Sequence, residues 1–569
     1  MPDLVIGGRR AAVARPWRAG GIALAMLGVA IVVAWFIYRR SVTYDMPAGA
    51  LQGEIASVPA GAGGVPPPVL TYGNASLAWV GGIALLHVAG DAHEIGAAHG
   101  RLLAPWLPAV TAAAAPSIAA TVSDDGWLGA TTHGLRLAWR WRFVDDGLVE
   151  QDRKMVAGMT RGATASGVAL GYEEALRDQA VLDVGAPSPR SDQADQHLVA
   201  HSLTLFGAQA QAPARIWIGR ALSLPGLDDG GDSAIPVVTI AHPEGRIAWA
   251  GVGWPGQLGV VTGINAEGIA VIVNPARTSD VRVTRTARPV VLLARTVLEQ
   301  ARTLDDAIKL IESTATLGSA ALAVVDGTSG KWVQIERTPS KAIVERNPKS
   351  PVLGDVLTTN ALASDPENDR ARRMLPTQSR VERAARLLRT PLADPAAMAA
   401  ILRDQRAVDD APRPLGHRGV IDDGRAVQTV ILDPASLALW VADPRAEGRL
   451  RAFDLRHELR GEGDRAAPAA DIAADPNVEP DRGALLAAAR ADLRAARGAL
   501  RTGALGRAAE ACARARTRAP ALPEAIELEA IIAQARGDLA RTRTGFQAWL
   551  DGVPDDPRGE ERARAAIAR

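Results

Sequence analysis

Residues 20–38, GGIALAMLGVAIVVAWFIY, carry no charged side chain over 19 positions. A helix of that length crosses roughly 30 Å of hydrocarbon, so this run limits the chain to folds that tolerate an apolar helix outside the core. Arg9, Arg10, Arg15 and Arg18 precede it; Arg39 and Arg40 follow, with Asp45 and Glu54 soon after. The arginine excess before the span predicts an N-terminus inside and the bulk of the chain extracytoplasmic, periplasmic in a Gram-negative cell. A cleaved signal peptide is the competing reading. The apolar run is longer than a usual signal core and no small-residue cleavage site follows at once, which favours an uncleaved anchor.

The chain has 569 residues, enough for several domains, and 64 Lys plus Arg balance 63 Asp plus Glu. That balance argues against a nucleic-acid partner or a broadly basic membrane-binding surface. Cys512 is the single cysteine, which excludes an intrachain disulfide and a cysteine metal cluster. No phosphate-binding glycine loop is present, and no cofactor is expected.

Composition divides the chain into a tip and anchor (1–40), a Pro/Gly/Ala-rich stalk (41–75), a mixed domain (76–460), a linker (461–482) and a helical region (483–569). In the mixed domain WVGGIALLHVAG reads as a strand. GDAHEIGAAHGRLL then reads as a helix capped by Asp91 with Glu94 three residues on, ended or kinked at Pro105. IPVVTIAH with RIAWAGV, ALAVVD with KWVQIER, and the two halves of TVILDPASLALWVAD read as three antiparallel hairpins. PVVLLARTVLEQAR and LDDAIKLIEST, between the first two, read as helices. Strand pairs interrupted by helices predict an α+β layered domain with antiparallel sheets.

In the last region Gly503-Ala504-Leu505 and Gly537-Asp538-Leu539 lie 34 residues apart, as do Pro520 and Pro554. This period matches the tetratricopeptide unit and predicts a small all-α module suited to a protein partner. A solvated Ala/Arg helical tail is the alternative.

His197 and His201 share a strand face but have no third ligand nearby, so no metal is expected. His93 and His99, six apart on a helix, read as a cap neighbour and a packing residue. The run Trp139-Arg140-Trp141-Arg142 reads as a helix laying Trp inward and Arg outward.

YGNASLAWVGGIALLHVAGDAHEIGAAHGRLL, GRALSLPG, WPGQLGVVTGINAEGIAVIVN, TTNAL and QSRVERAARLL follow in order over about residues 77–445. Together they resemble the penicillin acyltransferase family (acyl-CoA:6-aminopenicillanate acyltransferase and choloylglycine hydrolase type), a branch of the N-terminal-nucleophile hydrolases. The resemblance implies a four-layer αββα sandwich. It implies a chain that cuts itself before a cysteine, whose thiol attacks an amide while its freed amine acts as base. VAHSLTLFG (199–207) occupies that position without a cysteine; by register the family residue falls on Ala200, His201 or Ser202. Ser202 supplies a hydroxyl, and a cut between His201 and Ser202 supplies the amine. Thr204 is the second hydroxyl on the same face. The family's GRN-x-D strand reads here as Gly219-Arg220-Ala221-Leu222-Ser223, with both the Asn and the Asp replaced. Asn265 and Asn274 bracket the central strand pair, Asn360 stands in TTNAL, and Ser379-Arg380 opens a late helix. The candidate catalytic set is therefore Ser202, Thr204, Asn274, Asn360 and Arg380, with Asn274 or Asn360 placed to stabilise an oxyanion. The expected ligand is an acyl amide or small peptide. The alternative is a catalytically inactive relative that binds a ligand in its cleft and a partner through its helical repeats.

Overall fold

Along Ile269–Ala276 side chains alternate between two cores: Ile269, Val271 and Val273 enter one, Ala270 and Ile272 the other. A strand covered on both faces behaves this way. In the computed structural model the described residues are 16–58, 69–119, 122, 126–183, 201–208, 215–224, 227, 235–276, 282–346, 348, 352–353, 377–446, 448–461, 470–476, 481–552 and 557–568.

Numbered in chain order, the strands form two sheets. The eleven-stranded sheet runs β1 (Ala56–Val58), β2 (Val69–Tyr72), β3 (Ala75–Val80), β4 (Ile83–Gly90), β7 (Val237–Pro243), β8 (Trp249–Gly253), β9 (Thr262–Asn265), β10 (Ile269–Ala276), β11 (Ser319–Asp326), β12 (Lys331–Arg337) and β13 (Ala342–Arg346). The six-stranded sheet runs β14 (Val352–Leu353), β5 (His201–Ala208), β6 (Ile216–Ser223), β15 (Gln428–Asp433), β16 (Ala438–Ala442) and β17 (Leu450–Asp454).

The expected hairpins form as β7–β8, β11–β12 and β15–β16. Two readings change. WVGGIALLHVAG is a hairpin rather than one strand: Gly81 turns at φ 64°, and a Cβ there would fall 2.0 Å from Asp443 Oδ2. The large sheet is also not wholly antiparallel, because β4 pairs β7 in parallel. All the intervening helices and β5–β6 of the other sheet lie in that connection, which returns the chain to its starting end.

The helices are α1 (Pro16–Val42), α2 (Ala92–Leu102), α3 (Leu107–Ala119), α4 (Gly126–Trp141), α5 (Glu150–Ala165), α6 (Tyr172–Gln179), α7 (Val290–Gln300), α8 (Leu304–Ser313), α9 (Thr377–Leu387), α10 (Pro395–Leu402), α11 (Leu455–Arg460), α12 (Arg482–Arg501), α13 (Leu505–Arg518), α14 (Pro523–Ala535), α15 (Leu539–Asp551) and α16 (Pro557–Ala568). The Asp91–Glu94 capping box forms, and α2 stops before Pro105 as expected. One core lies between the large sheet and α2–α8, a second between the sheets, and a third between the small sheet and α9–α10. The architecture is mixed α/β, two facing sheets with helices outside each, consistent with an N-terminal-nucleophile hydrolase sandwich. Near the N-terminus, α1 contains one apolar stretch, Leu24–Val42, long enough to cross a membrane.

Residues assigned by composition to a spacer run along this body: Leu51 packs on its core, Tyr72 Oη accepts from Gln52 N at 3.1 Å, and β1 pairs β2. At the other end α12–α16 pack successively, and Gly503 and Gly537 both take left-handed φ in equivalent turns. These helices dock through Arg482 on Asp422 at 2.7 Å and through Leu486 and Leu522 beside Gly416.

The contact of α2 with α5 is made by four glycines, two on each helix at four-residue spacing. A Cβ on Gly96 or Gly100 would meet the Met155 or Met159 carbonyl at 1.9 or 2.1 Å, and one on Gly158 or Gly162 the His93 or Ala97 carbonyl at 2.2 or 2.4 Å. Gly158→Leu is expected to cost about 1–3 kcal/mol, since backbone, not a side-chain tip, must yield. Its urea midpoint checks this; a wild-type midpoint would show that the helices separate freely.

Candidate functional site

On β5, Leu203 and Leu205 enter the outer core while Phe206 enters the layer between the sheets. Strand alternation therefore points Ser202 and Thr204 between the sheets. On β6 the interior parity is Ile218, Arg220 and Leu222, with Arg220 directly across from Thr204 and Leu222 across from Ser202. From the opposite sheet β10 contributes Asn274. Its Oδ1 accepts from Thr204 Oγ1 at 3.1 Å and from Arg220 Nη1 at 3.3 Å, while Arg220 Nη2 donates to the Val273 carbonyl at 2.6 Å.

Two donors on Asn274 Oδ1 fix which way its amide points. Among the described residues its Nδ2 then has no acceptor, and neither has Arg220 Nε. Asn274, Thr204 and Arg220 are fully buried and Ser202 is 1% exposed. No carboxylate among the described residues pairs with Arg220; burial alone lowers its pKa to about 9, so it stays cationic at neutral pH. The interior of the sandwich here holds a positive charge and amide N–H groups without matching acceptors among the described residues. Farther along the same layer Thr262 and Gln428 satisfy one another at 3.3 Å, and Gln428 donates to the Val252 carbonyl.

Of the residues expected at the site, Ser202, Thr204 and Asn274 come together. Asn360 lies outside the described residues. Arg380, at the start of α9, is buried beside Asp423, Arg425 and Arg418; burial lowers its pKa to about 10, and Asp423 opposes that shift. Asn265 is a turn residue, donating to the Leu298 and Ala301 carbonyls and accepting from Glu267 N and Ile269 N. His197 lies outside the described residues, as does the side chain of His201. Cys512 is buried on α13, its thiol pushed up to about 11 chiefly by burial, remote from this layer in the helical core.

Arg220 was missed as a site residue, although the sequence carries a signal for it. In IWIGRALS the interior parity is Ile216, Ile218, Arg220 and Leu222, and a charged residue in an apolar row requires a partner or a task.

Beyond the end of β6 an apolar cleft opens between α3, α6 and the Trp254–Leu258 loop. It is lined by Thr111, Asp178, Leu182, Leu224, Leu227 and Trp254 among others. The loop is fixed by Gln179, which donates to the Gly256 carbonyl and accepts from Leu258 N, and by His99 Nε2, which accepts from Gly256 N at 2.9 Å. Burial lowers His99 to about 4, so it is a neutral acceptor. Asp178 Oδ2 accepts from Thr111 Oγ1 at 2.8 Å, and burial raises its carboxyl to about 7. A carboxyl whose pKa is higher folded than unfolded stabilises the fold fully below its usual 3.8 and loses that contribution as pH rises to about 7. The melting temperature is therefore expected to fall across this window, and to fall less in Asp178→Asn; equal slopes would remove Asp178 as a cause.

A profile of the family described as acyl-coenzyme A:6-aminopenicillanic acid acyl-transferase matches residues 237–413. This match points to the N-terminal-nucleophile hydrolase superfamily, acyltransferase and choloylglycine hydrolase type. It begins after β5 and β6, so it leaves out the strands that carry Ser202, Thr204 and Arg220. Among solved structures, the chain is similar to the Caenorhabditis elegans ortholog of N-acylethanolamine-hydrolyzing acid amidase, with 18% identity, 41% of this chain and 93% of that chain covered, and a TM-score of 0.30. It is also similar to two variants of a conjugated bile acid hydrolase from Clostridium perfringens, each 11% identical. They cover 45% and 49% of this chain and 92% and 100% of their own, with TM-scores of 0.28 and 0.29. No curated protein matches the chain.

Proposed function

We propose that this protein is a membrane-anchored binding protein for acyl amides, built on an amide-hydrolase sandwich whose binding half is kept and whose covalent half is lost. One observation carries the reading: Arg220 Nε and Asn274 Nδ2 are buried donors with no acceptor among the described residues. Such groups cost about 1–3 kcal/mol each when unmatched, and a ligand carbonyl or carboxylate oxygen recovers that. The cleft beyond β6 takes the acyl chain. The covalent half fails for a chemical reason. An N-terminal nucleophile needs its amine held, and the strand positions that match the family's Asn and Asp are Ala221 and Ser223.

The second reading is an N-terminal-nucleophile amidase or acyltransferase acting through Ser202. It is favoured by the place of Ser202 at the head of β5, on the same inward face as Thr204. Intact mass of the purified protein separates the two. A single full-length species supports binding without self-cleavage. Fragments 1–201 and 202–569, both lost in Ser202→Ala, would establish the enzyme and remove the binding-only reading.

In this proposal α1 is an uncleaved anchor, with the domain from 76 to 460 outside the cytoplasm. The helices from 483 onward act as a tetratricopeptide-like module for a protein partner. Capture of that partner is expected to vanish when 483–569 are deleted; retained capture counts against the role.

A further inference from the structure

Trp141 is fully buried, but Trp139 is 45% exposed and Leu135 44% exposed. The inward placement expected for both tryptophans therefore holds for one. The two exposed apolar residues are four apart on α4, so they share a face, and Arg136 and Arg140, also exposed, flank that face one residue on.

This face adjoins the end of the apolar span. Tyr38 Oη donates to the Leu135 carbonyl at 2.8 Å, and its ring stacks on Trp139 with centroids 6.2 Å apart. On its other side Tyr38 stacks on Trp35 at 5.6 Å. Six residues on, just past the end of α1, Tyr44 Oη donates to the Trp141 carbonyl at 2.6 Å. The C-terminal end of α1 thus runs directly onto α4. Exposed Trp and Tyr at the end of a span sit at headgroup depth, and whatever stacks on them shares that depth.

We infer that α4 lies in the bilayer interface of the leaflet where α1 ends, with Leu135 and Trp139 at the headgroup–acyl boundary and Arg136 and Arg140 among anionic headgroups. An amphipathic helix with an arginine flank suits that position. The Arg142 guanidinium, 4.0 Å from the Trp139 ring centroid, adds cationic charge at the same level. The inference rests on α1 being an uncleaved anchor. It gives the body a second attachment, so the sandwich stands at a fixed orientation to the membrane instead of swinging on a tether.

The test uses the full chain in liposomes of phosphatidylcholine with and without phosphatidylglycerol. Single cysteines replace Val29, Leu135 or Arg541 in a Cys512→Ser background, which keeps a hydroxyl donor for the Ala525 carbonyl, and each carries a spin label. Val29 on α1 is 64% exposed, and the Arg541 side chain, 78% exposed, lies in the helical region. The inference expects the label at 135 to be severalfold less accessible to a water-soluble quencher than the label at 541, and more so with phosphatidylglycerol. Arg136→Glu with Arg140→Glu should abolish the phosphatidylglycerol effect, since each arginine at an anionic surface is worth about fivefold in binding. A shielded position 29 with position 135 as open as 541 overturns the docking and leaves the anchor standing. An open position 29 overturns the anchor, and the docking with it.

Discussion

Arg220→Met is expected to weaken binding of a medium-chain N-acylglycine by about thirtyfold to several thousandfold, the usual cost of removing one partner of a buried charged contact. Stability should stay within about 1 kcal/mol of wild type, because losing two hydrogen bonds is offset by removing a buried cation that has no counter-ion among the described residues. The pH dependence carries the same signature. A base whose folded pKa is lowered to about 9 by burial holds its proton less tightly in the folded protein. Its penalty is therefore full below pH 9 and relieved as pH rises above that, so Met should remove a penalty that wild type carries at pH 7. Titration calorimetry and urea denaturation on the same two proteins decide the matter. Unchanged affinity, or a stability loss beyond 3 kcal/mol, would make Arg220 a packing residue.

The largest effect on stability is expected from Asp152→Ala. Asp152 is 1% exposed; its Oδ1 accepts from Arg295 Nη2 at 2.5 Å and its Oδ2 from Arg288 Nη2 at 2.6 Å, tying α5 to α7. Glu299 also approaches Arg295, at 3.2 Å, but among the described residues Arg288 keeps hydrogen bonds only to Thr296 and the Leu292 carbonyl. Breaking a buried pair from one side strands the remaining charge and costs about 3–5 kcal/mol. Asp152→Asn, which retains one acceptor, should lose less. A shift of the urea midpoint within error of wild type would show that solvent reaches the two arginines.

Several elements were legible because their signals are local. The capping box at Asp91, the end of α2 ahead of Pro105 and the three hairpins each depend on residues a few positions apart. The β3–β4 turn was not legible, because it is the approach of Asp443 from far along the chain that makes Gly81 and Gly82 necessary. The glycine contact of α2 with α5 escaped for the same reason: each four-residue spacing is visible alone, but only the crossing gives it meaning. At the site, alternation along β5 placed Ser202 and Thr204 on one face from sequence alone. That Thr204 and Arg220 share Asn274 Oδ1, while Arg380 answers to Asp423, depends on which strands and helices become neighbours.

The sequence by itself determined the apolar span, the strand–helix order, the inward parity of Ser202 and Thr204, and the absence of a cysteine from the nucleophile strand, since periodicity and residue identity are properties of short segments. Only the tertiary structure decided that Arg220 is buried with no carboxylate partner among the described residues, that Asn274 turns an amide unmatched among them into the same layer, and that Trp139 faces outward beside Tyr38. Those facts arise where segments distant in sequence meet, and burial, pairing and charge have no value until the meeting occurs.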